Sequence, residues 1–165
     1  MFTIGAFALI FDDNGRILLN QRRDNQKWNP PGGRVEAGEM PAETVVRETL
    51  EETGLHVEVE RLVGFYGKEG QTDYVFTFLC RVIGGQILPE TAETLDCRYF
   101  ALNKIPEHIN SYHLWRILDV LNGESKPVMT RQSPSQAEEM VHAFRHNSLA
   151  AWESRLQPDS RPTSG

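Results

Sequence analysis

Cysteine is scarce in this chain, with two residues in 165, Cys80 and Cys97. Two thiols cannot build a disulfide framework, and no histidine or cysteine stands at zinc-ligand spacing from them. Both lie in apolar, strand-like stretches ("VFTFLCRV" and "DCRYFAL"), where they read as buried core thiols. Long hydrophobic runs are also missing. The N-terminal stretch "MFTIGAFALIFDDNG" lacks a basic leader and is interrupted by Asp12 and Asp13, so it reads as a first strand and not a secretory signal. No run reaches transmembrane length, which leaves a cytoplasmic protein without a membrane partner as the expectation. Positive charge is in deficit: 17 Lys and Arg against 23 Asp and Glu, a formal net charge of -6. That argues against a nucleic-acid backbone as the main partner. Small phosphorylated ligands stay open, because a few cations and a metal ion can hold them. There is no internal repeat and no low-complexity tract.

What is present amounts to one domain and an extension. "TIGAFALIF" predicts a strand, "DDNG" a turn and "RILLNQR" a second strand, the two forming a hairpin. "RDNQKWNPPGG" reads as a loop, its prolines and glycines excluding a regular element. A helix follows from Pro41, ended by Gly54 in the position that needs a left-handed conformation. Residues 56–67 and 72–85 read as strands, "CRYFAL" as a short strand, and 111–123 as a helix stopped by Gly123. This places a domain over 1–123. A Pro/Ser-rich linker is expected over 124–134, an amphipathic helix over 135–156, and a flexible tail over 157–165. The extension is expected either to pack on its own domain or to contact a second subunit in a homodimer. His142, Arg145 and His146 then lie on its polar face, and His113 on the surface of the preceding helix.

The densest charge sits in "RETLEETGL". Glu48, Glu51 and Glu52 fall within an arc of roughly 100° on an α-helix, with Ala42, Val46, Thr49 and Thr53 facing a core. Like charges this close repel by a few tenths of a kcal/mol per exposed pair, roughly. A solvated face tolerates that. A hard divalent cation turns it into attraction, since Mg²⁺ takes oxygen ligands alongside substrate phosphates. Gly32 and Gly33 permit close backbone approach, and the Gly33 carbonyl is a further candidate ligand.

Gly33, five residues, Glu39, seven residues and then Arg47-Glu48-Thr49-Leu50-Glu51-Glu52-Thr53-Gly54-Leu55 resembles the signature of the Nudix hydrolases. Thr49 stands where that signature has a bulky apolar residue. The resemblance implies an α/β fold, an α/β/α sandwich around a mixed sheet, here with a C-terminal helical extension. It implies Mg²⁺ (or Mn²⁺) held by Glu48, Glu51, Glu52 and the Gly33 carbonyl. Arg47 positions the acidic residues, and Glu39 has a supporting role. The implied reaction is hydrolysis of a pyrophosphate bond in a nucleoside diphosphate linked to a group X. The general base comes from the helix, as Glu52, or from a later loop. There Glu93, six residues before Tyr99, is similar to the family's loop glutamate, with Glu90 as the alternate.

The substrate is less legible. Arg22 or Arg23 is a candidate phosphate ligand. Trp28 either stacks on a base or braces the Pro-Pro-Gly-Gly loop. A nucleoside triphosphate or related small nucleotide is the leading expectation. Dinucleoside polyphosphates, ADP-ribose, or a nucleotide-binding regulatory module without turnover are the alternatives.

Overall fold

Alternation along the first strand decides the layering. In β1 (Thr3–Ile10), Ala6, Ala8 and Ile10 enter one core with Leu18, Val45, Val57, Phe78, Cys80 and Cys97, while Leu9 enters a second with Ile17, Leu19, Val63, Leu114 and Ile117. Successive side chains of a strand point to opposite faces, so β1 needs cover on both sides. Helix α1 (Pro41–Thr53) supplies it on the first face and helix α2 (Ser111–Leu121) on the second. The computed structural model describes residues 1–123 and 125–146.

The remaining strands are β2 (Ile17–Arg22), β3 (Trp28–Asn29), β4 (Gly32–Arg34), β5 (Leu55–Lys68), β6 (Asp73–Gly85), β7 (Thr94–Phe100) and β8 (Val128–Gln132). They form a five-stranded sheet of order β4-β1-β6-β5-β8 and a three-stranded sheet of order β3-β2-β7. The larger sheet is mixed: β1–β6 and β5–β8 run parallel, β1–β4 and β5–β6 antiparallel. This is the expected α/β sandwich around a mixed sheet, closed by a C-terminal helix, α3 (Pro134–His146).

Gly54 ends α1 as its sequence position predicts, at φ +82° with its N–H on the Leu50 carbonyl. A Cβ there would stand 2.4 Å from the Gln86 carbonyl oxygen.

Four expectations need correction. The Asp12–Arg16 turn forms, with Asp12 accepting the backbone N–H of Asn14 and Arg16, but the hairpin is confined to its mouth: Phe11 and Ile17 make one antiparallel bridge, and beyond it β1 and β2 part into different sheets. Ile17, Leu18 and Leu19 are all fully buried, so β2 needs cover on both faces and takes β3 and β7 as its own neighbours. The Pro-Pro-Gly-Gly loop does contain an element: Gly32–Arg34 is an edge strand opposite Gly5–Phe7. The prolines precede it at the sheet edge, where a missing donor is tolerated. On α1, Val46 is exposed, and Thr44, Val45, Thr49, Glu52 and Thr53 are buried. Thr49 and Thr53 thus face inward as expected, with Ala42 packed against the same core, but Val45 takes the place of Val46 and the buried face extends to Glu52. Finally, the stretch read as a linker holds β8, which lies parallel to β5 along Gly64–Lys68.

Of the expected extension helix, residues 134–146 are helical, and Ala137 and Phe144 are buried on the α2 side of the core. Residues 147–165 of that expectation lie outside the described residues. Arg145 donates to the carbonyls of Ile105 and Pro106 at 3.2 and 2.7 Å. Among the described residues no helix is long and apolar enough to cross a membrane.

Candidate active site

Arg47 organises the acidic side of α1. Its Nε and Nη2 donate to the two carboxylate oxygens of Glu39 at 2.7 and 3.0 Å, and Nη1 reaches Glu48 at 3.0 Å and Glu51 at 3.3 Å. A planar guanidinium can hold this fork, and a lysine cannot. The effect on Glu39 is large: Arg47 and the Thr44 hydroxyl hold its carboxyl down at about 2.

The three helix glutamates meet different surroundings. Glu51 is more than half exposed and turned to Arg47. Glu48 is mostly covered, and burial raises its pKa against the pull of Arg47. Glu52 is buried, accepting the Gly32 N–H at 3.1 Å and the Asn20 amide at 3.2 Å on Oε2. Desolvation pushes Glu52 up to about 9, with the Glu48 and Glu93 charges acting in the same direction.

Glu93 comes from the loop before β7 and faces this pair from the solvent side. Oxygens of Glu48, Glu52 and Glu93 lie within 4.8 Å of one another. The structure thus brings Glu48, Glu52 and Glu93 together, and leaves Glu51 on the Arg47 side. Such an all-oxygen set suits a hard divalent cation, and a cation there would relieve the burial cost that Glu48 and Glu52 carry. Gly33 fits the same group. It lies so close to Glu48 that a Cβ would stand 2.6 Å from Oε1. Gly33→Ala is therefore expected to displace the Glu48 carboxylate, weakening Mg²⁺ binding by about 10- to 100-fold while leaving the thermal midpoint nearly unchanged. Calorimetric Mg²⁺ titration and a thermal melt check both halves.

The other sequence candidates are placed nearby. Arg22 is clamped on Asp24 at 3.0 and 2.6 Å, within electrostatic reach of Glu52 and Glu93. Arg23 pairs with Glu90 at 2.5 Å and donates to the Thr91 carbonyl at 3.0 Å, and its backbone N–H donates to the Glu93 carbonyl, so Glu90 is tied to this arginine and is not one of the clustered carboxylates. The Trp28 ring packs edge-on against Phe100 at 4.9 Å, which is a bracing geometry, and the Trp28 backbone N–H donates to the His108 carbonyl. Cys80 and Cys97 are buried free thiols, both pushed up to about 12 by desolvation.

Two contributors escaped the sequence reading. Asn20 bonds both Glu52 and the buried Thr94 hydroxyl, the latter at 3.3 Å. Its signal was a lone polar residue in "ILLNQR". His113 is buried, contrary to its expected place on a helix surface. It sits one residue before Leu114, on the edge of the helix face that covers the sheet.

The NUDIX domain model matches residues 1–121. A Bacillus subtilis (strain 168) protein named as a candidate 8-oxo-dGTP diphosphatase is 33% identical over 123 residues, 74% of this chain and 83% of its own length. A MutT-like protein of Streptomyces ambofaciens is 30% identical over 123 residues, 74% of this chain and 79% of its own. Among solved structures, an ADP-ribose pyrophosphatase from Streptococcus suis 89-1591 superposes with a TM-score of 0.66 at 27% identity, covering 80% of this chain and 100% of that one.

Proposed function

The chain belongs to the NUDIX family and is a Nudix pyrophosphohydrolase, and from that premise we propose that it uses Mg²⁺ to hydrolyse the pyrophosphate bond of a nucleoside triphosphate or a related small nucleotide. The observation that carries this reading is the convergence of Glu48, Glu52 and Glu93. A cluster in which burial alone drives carboxyls toward protonation is costly unless a cation is bound. The similarity to a candidate 8-oxo-dGTP diphosphatase supports the triphosphate class.

When bound, Mg²⁺ neutralises charge on the diphosphate and lowers the pKa of the attacking water. Glu48 and Glu52 would hold the ion, with Arg47 opposing the protonation of Glu48 and aiming its carboxylate. Glu52 has one oxygen occupied by the Gly32 and Asn20 donors, which fixes the direction of the other. Glu93, exposed at the mouth of the cluster, takes the water's proton as general base. Arg22, whose charge reaches Glu52 and Glu93, meets a substrate phosphate on exchanging its surface partner Asp24; its nearness to the cluster supports this role. The two unpaired, buried thiols agree with a cytoplasmic location.

The test is product analysis across nucleoside triphosphates, their oxidised forms, ADP-ribose and dinucleoside polyphosphates with Mg²⁺. Turnover of the triphosphate class is the expected result. Turnover of ADP-ribose alone would transfer the reading to that substrate, in line with the solved Streptococcus suis relative. Glu93→Gln is expected to lower kcat by about 10² to 10⁴, with KM and Mg²⁺ affinity within threefold, roughly. A Mg²⁺ affinity that falls together with kcat would make Glu93 a metal ligand and return the base to Glu52.

A further inference from the structure

On the face of the sheet opposite α1, α2 opens with Asn110 capping the Tyr112 N–H at 3.0 Å. That sets His113 and Arg116, three residues apart, on one side of the helix. His113 is 6% exposed, Arg116 1% and Gln132 of β8 0%. Burying a guanidinium costs several kcal/mol, roughly, unless its donors are met. Here no carboxylate meets them among the described residues. Arg116 Nε and Nη2 donate to Gln132 Oε1 at 3.0 and 2.8 Å, and Gln132 Nε2 is turned away onto the Tyr112 carbonyl at 3.1 Å. The guanidinium lies over the Tyr66 ring at 5.3 Å. The third nitrogen, Nη1, points at His113 Nδ1 at 3.3 Å.

A guanidinium only donates. His113 Nδ1 is therefore the acceptor, and the imidazole proton is on Nε2. Burial, then the charges of Arg116, Lys68 and Arg22, hold the ring neutral. The Nε2–H has no acceptor among the described residues, and Nε2 is not among the polar atoms sealed from solvent without a partner. The ring meets Phe7 edge-on at 4.4 Å. Phe7 stands opposite Gly32 in the β1–β4 ladder, and Gly32 donates to Glu52. Two paired residues, Phe7 of β1 and Gly32 of β4, thus link a fixed neutral donor to the carboxylate cluster, and the Arg22 charge reaches both.

We propose that His113 is a specificity-determining residue of the nucleotide site, offering its Nε2–H beside the Phe7 ring to an acceptor on the substrate's base, with Arg116 as its positioning residue. This rests on the glutamate cluster being the diphosphate end of the site. A fixed donor aimed at the exocyclic group of purine C6 pairs with an oxo group and meets another donor at an amino group. The side-chain network is then a device for choosing one imidazole tautomer.

The test compares dissociation constants for GTP and ATP, which carry an oxo and an amino group at purine C6, by calorimetry with Ca²⁺, and ITP, which keeps the oxo group without guanine's 2-amino group, is expected to bind as GTP does. Binding is read without turnover. The wild type is expected to prefer GTP by about tenfold or more. His113→Leu brings the two within about threefold by weakening GTP. His113→Gln, which keeps a side-chain N–H donor, retains most of the preference. Arg116→Met lowers the preference with ATP binding little changed. Equal losses on both nucleotides in His113→Leu, no preference in the wild type, or no nucleotide bound at all would overturn the proposal. Selective binding that His113→Leu removes, in a protein that turns over no nucleotide with Mg²⁺, would keep the proposal and remove the hydrolytic reading.

Discussion

Replacing Glu52 with glutamine is expected to abolish turnover and, in metal-free protein at pH 8, to make the fold more stable. Both effects have one cause. Glu52 is 7% exposed, and desolvation moves its carboxyl from the ordinary 4.5 up to about 9. The folded state therefore binds a proton across that window which the unfolded state releases. Stability of the metal-free wild type must then fall as pH rises from about 4.5 to about 9. A glutamine keeps an oxygen for the Gly32 and Asn20 donors and carries no charge to bury. We expect it to gain about 2 kcal/mol at pH 8, a rise of several degrees in midpoint. The wild type should recover that difference when Mg²⁺ is added, and the variant should not. Loss of kcat by about 10³ or more accompanies it. Melts from pH 5 to 9, with and without Mg²⁺, read the stability half, and single-turnover assays the other. A variant less stable than wild type at pH 8 without metal would show that Glu52 is accommodated as a charge by the protein alone.

Arg47→Ala should rank second. It removes the bidentate clamp on Glu39 and the bonds to Glu48 and Glu51 together. Glu48 then has burial raising its pKa and no guanidinium opposing it. Its carboxyl protonates more readily, and Mg²⁺ has to compete with that proton. We expect Mg²⁺ affinity to fall by about 10- to 100-fold and kcat by a similar factor. Arg47→Lys should recover little, because an ammonium cannot hold both Glu39 oxygens in the plane of the fork. The pH dependence runs opposite to that of Glu52. Glu39 is held down at about 2, so its contribution is present above about 4.5 and is lost as pH falls toward 2. Acid melts of wild type and Arg47→Ala should converge at the low end. Parallel curves would assign the acid sensitivity elsewhere.

How much of this was readable beforehand depended on whether the deciding contact was local. The ends of α1 were, since proline at the start and a left-handed glycine at the stop are constraints within one turn of chain. The spacing of Glu48, Glu51 and Glu52 was local too, but it says only that they share a face. Which of them meets a residue from elsewhere depends on how far the inward face extends around the helix, and here it runs from Val45, Thr49 and Thr53 to Glu52. That is why Glu52 is buried, Glu51 stays with Arg47, and Glu93 joins from 41 positions further along the chain. His113 was hidden for the same reason. Its surroundings come from β1 and β8, and β8 lies in a stretch whose proline, serine and lysine read as linker.

That last strand has a consequence for anyone cutting the gene. The family match ends at residue 121, while β5 finds its outer neighbour at Val128–Gln132. A truncated chain would leave the backbone donors and acceptors of β5 bare along Gly64–Lys68, the kind of open edge on which chains stack and precipitate. It would also leave the Arg116 charge inside without its glutamine. Fragment boundaries drawn from kinship alone would thus invite aggregation, and the added segment is better regarded as the sheet's border than as a tail.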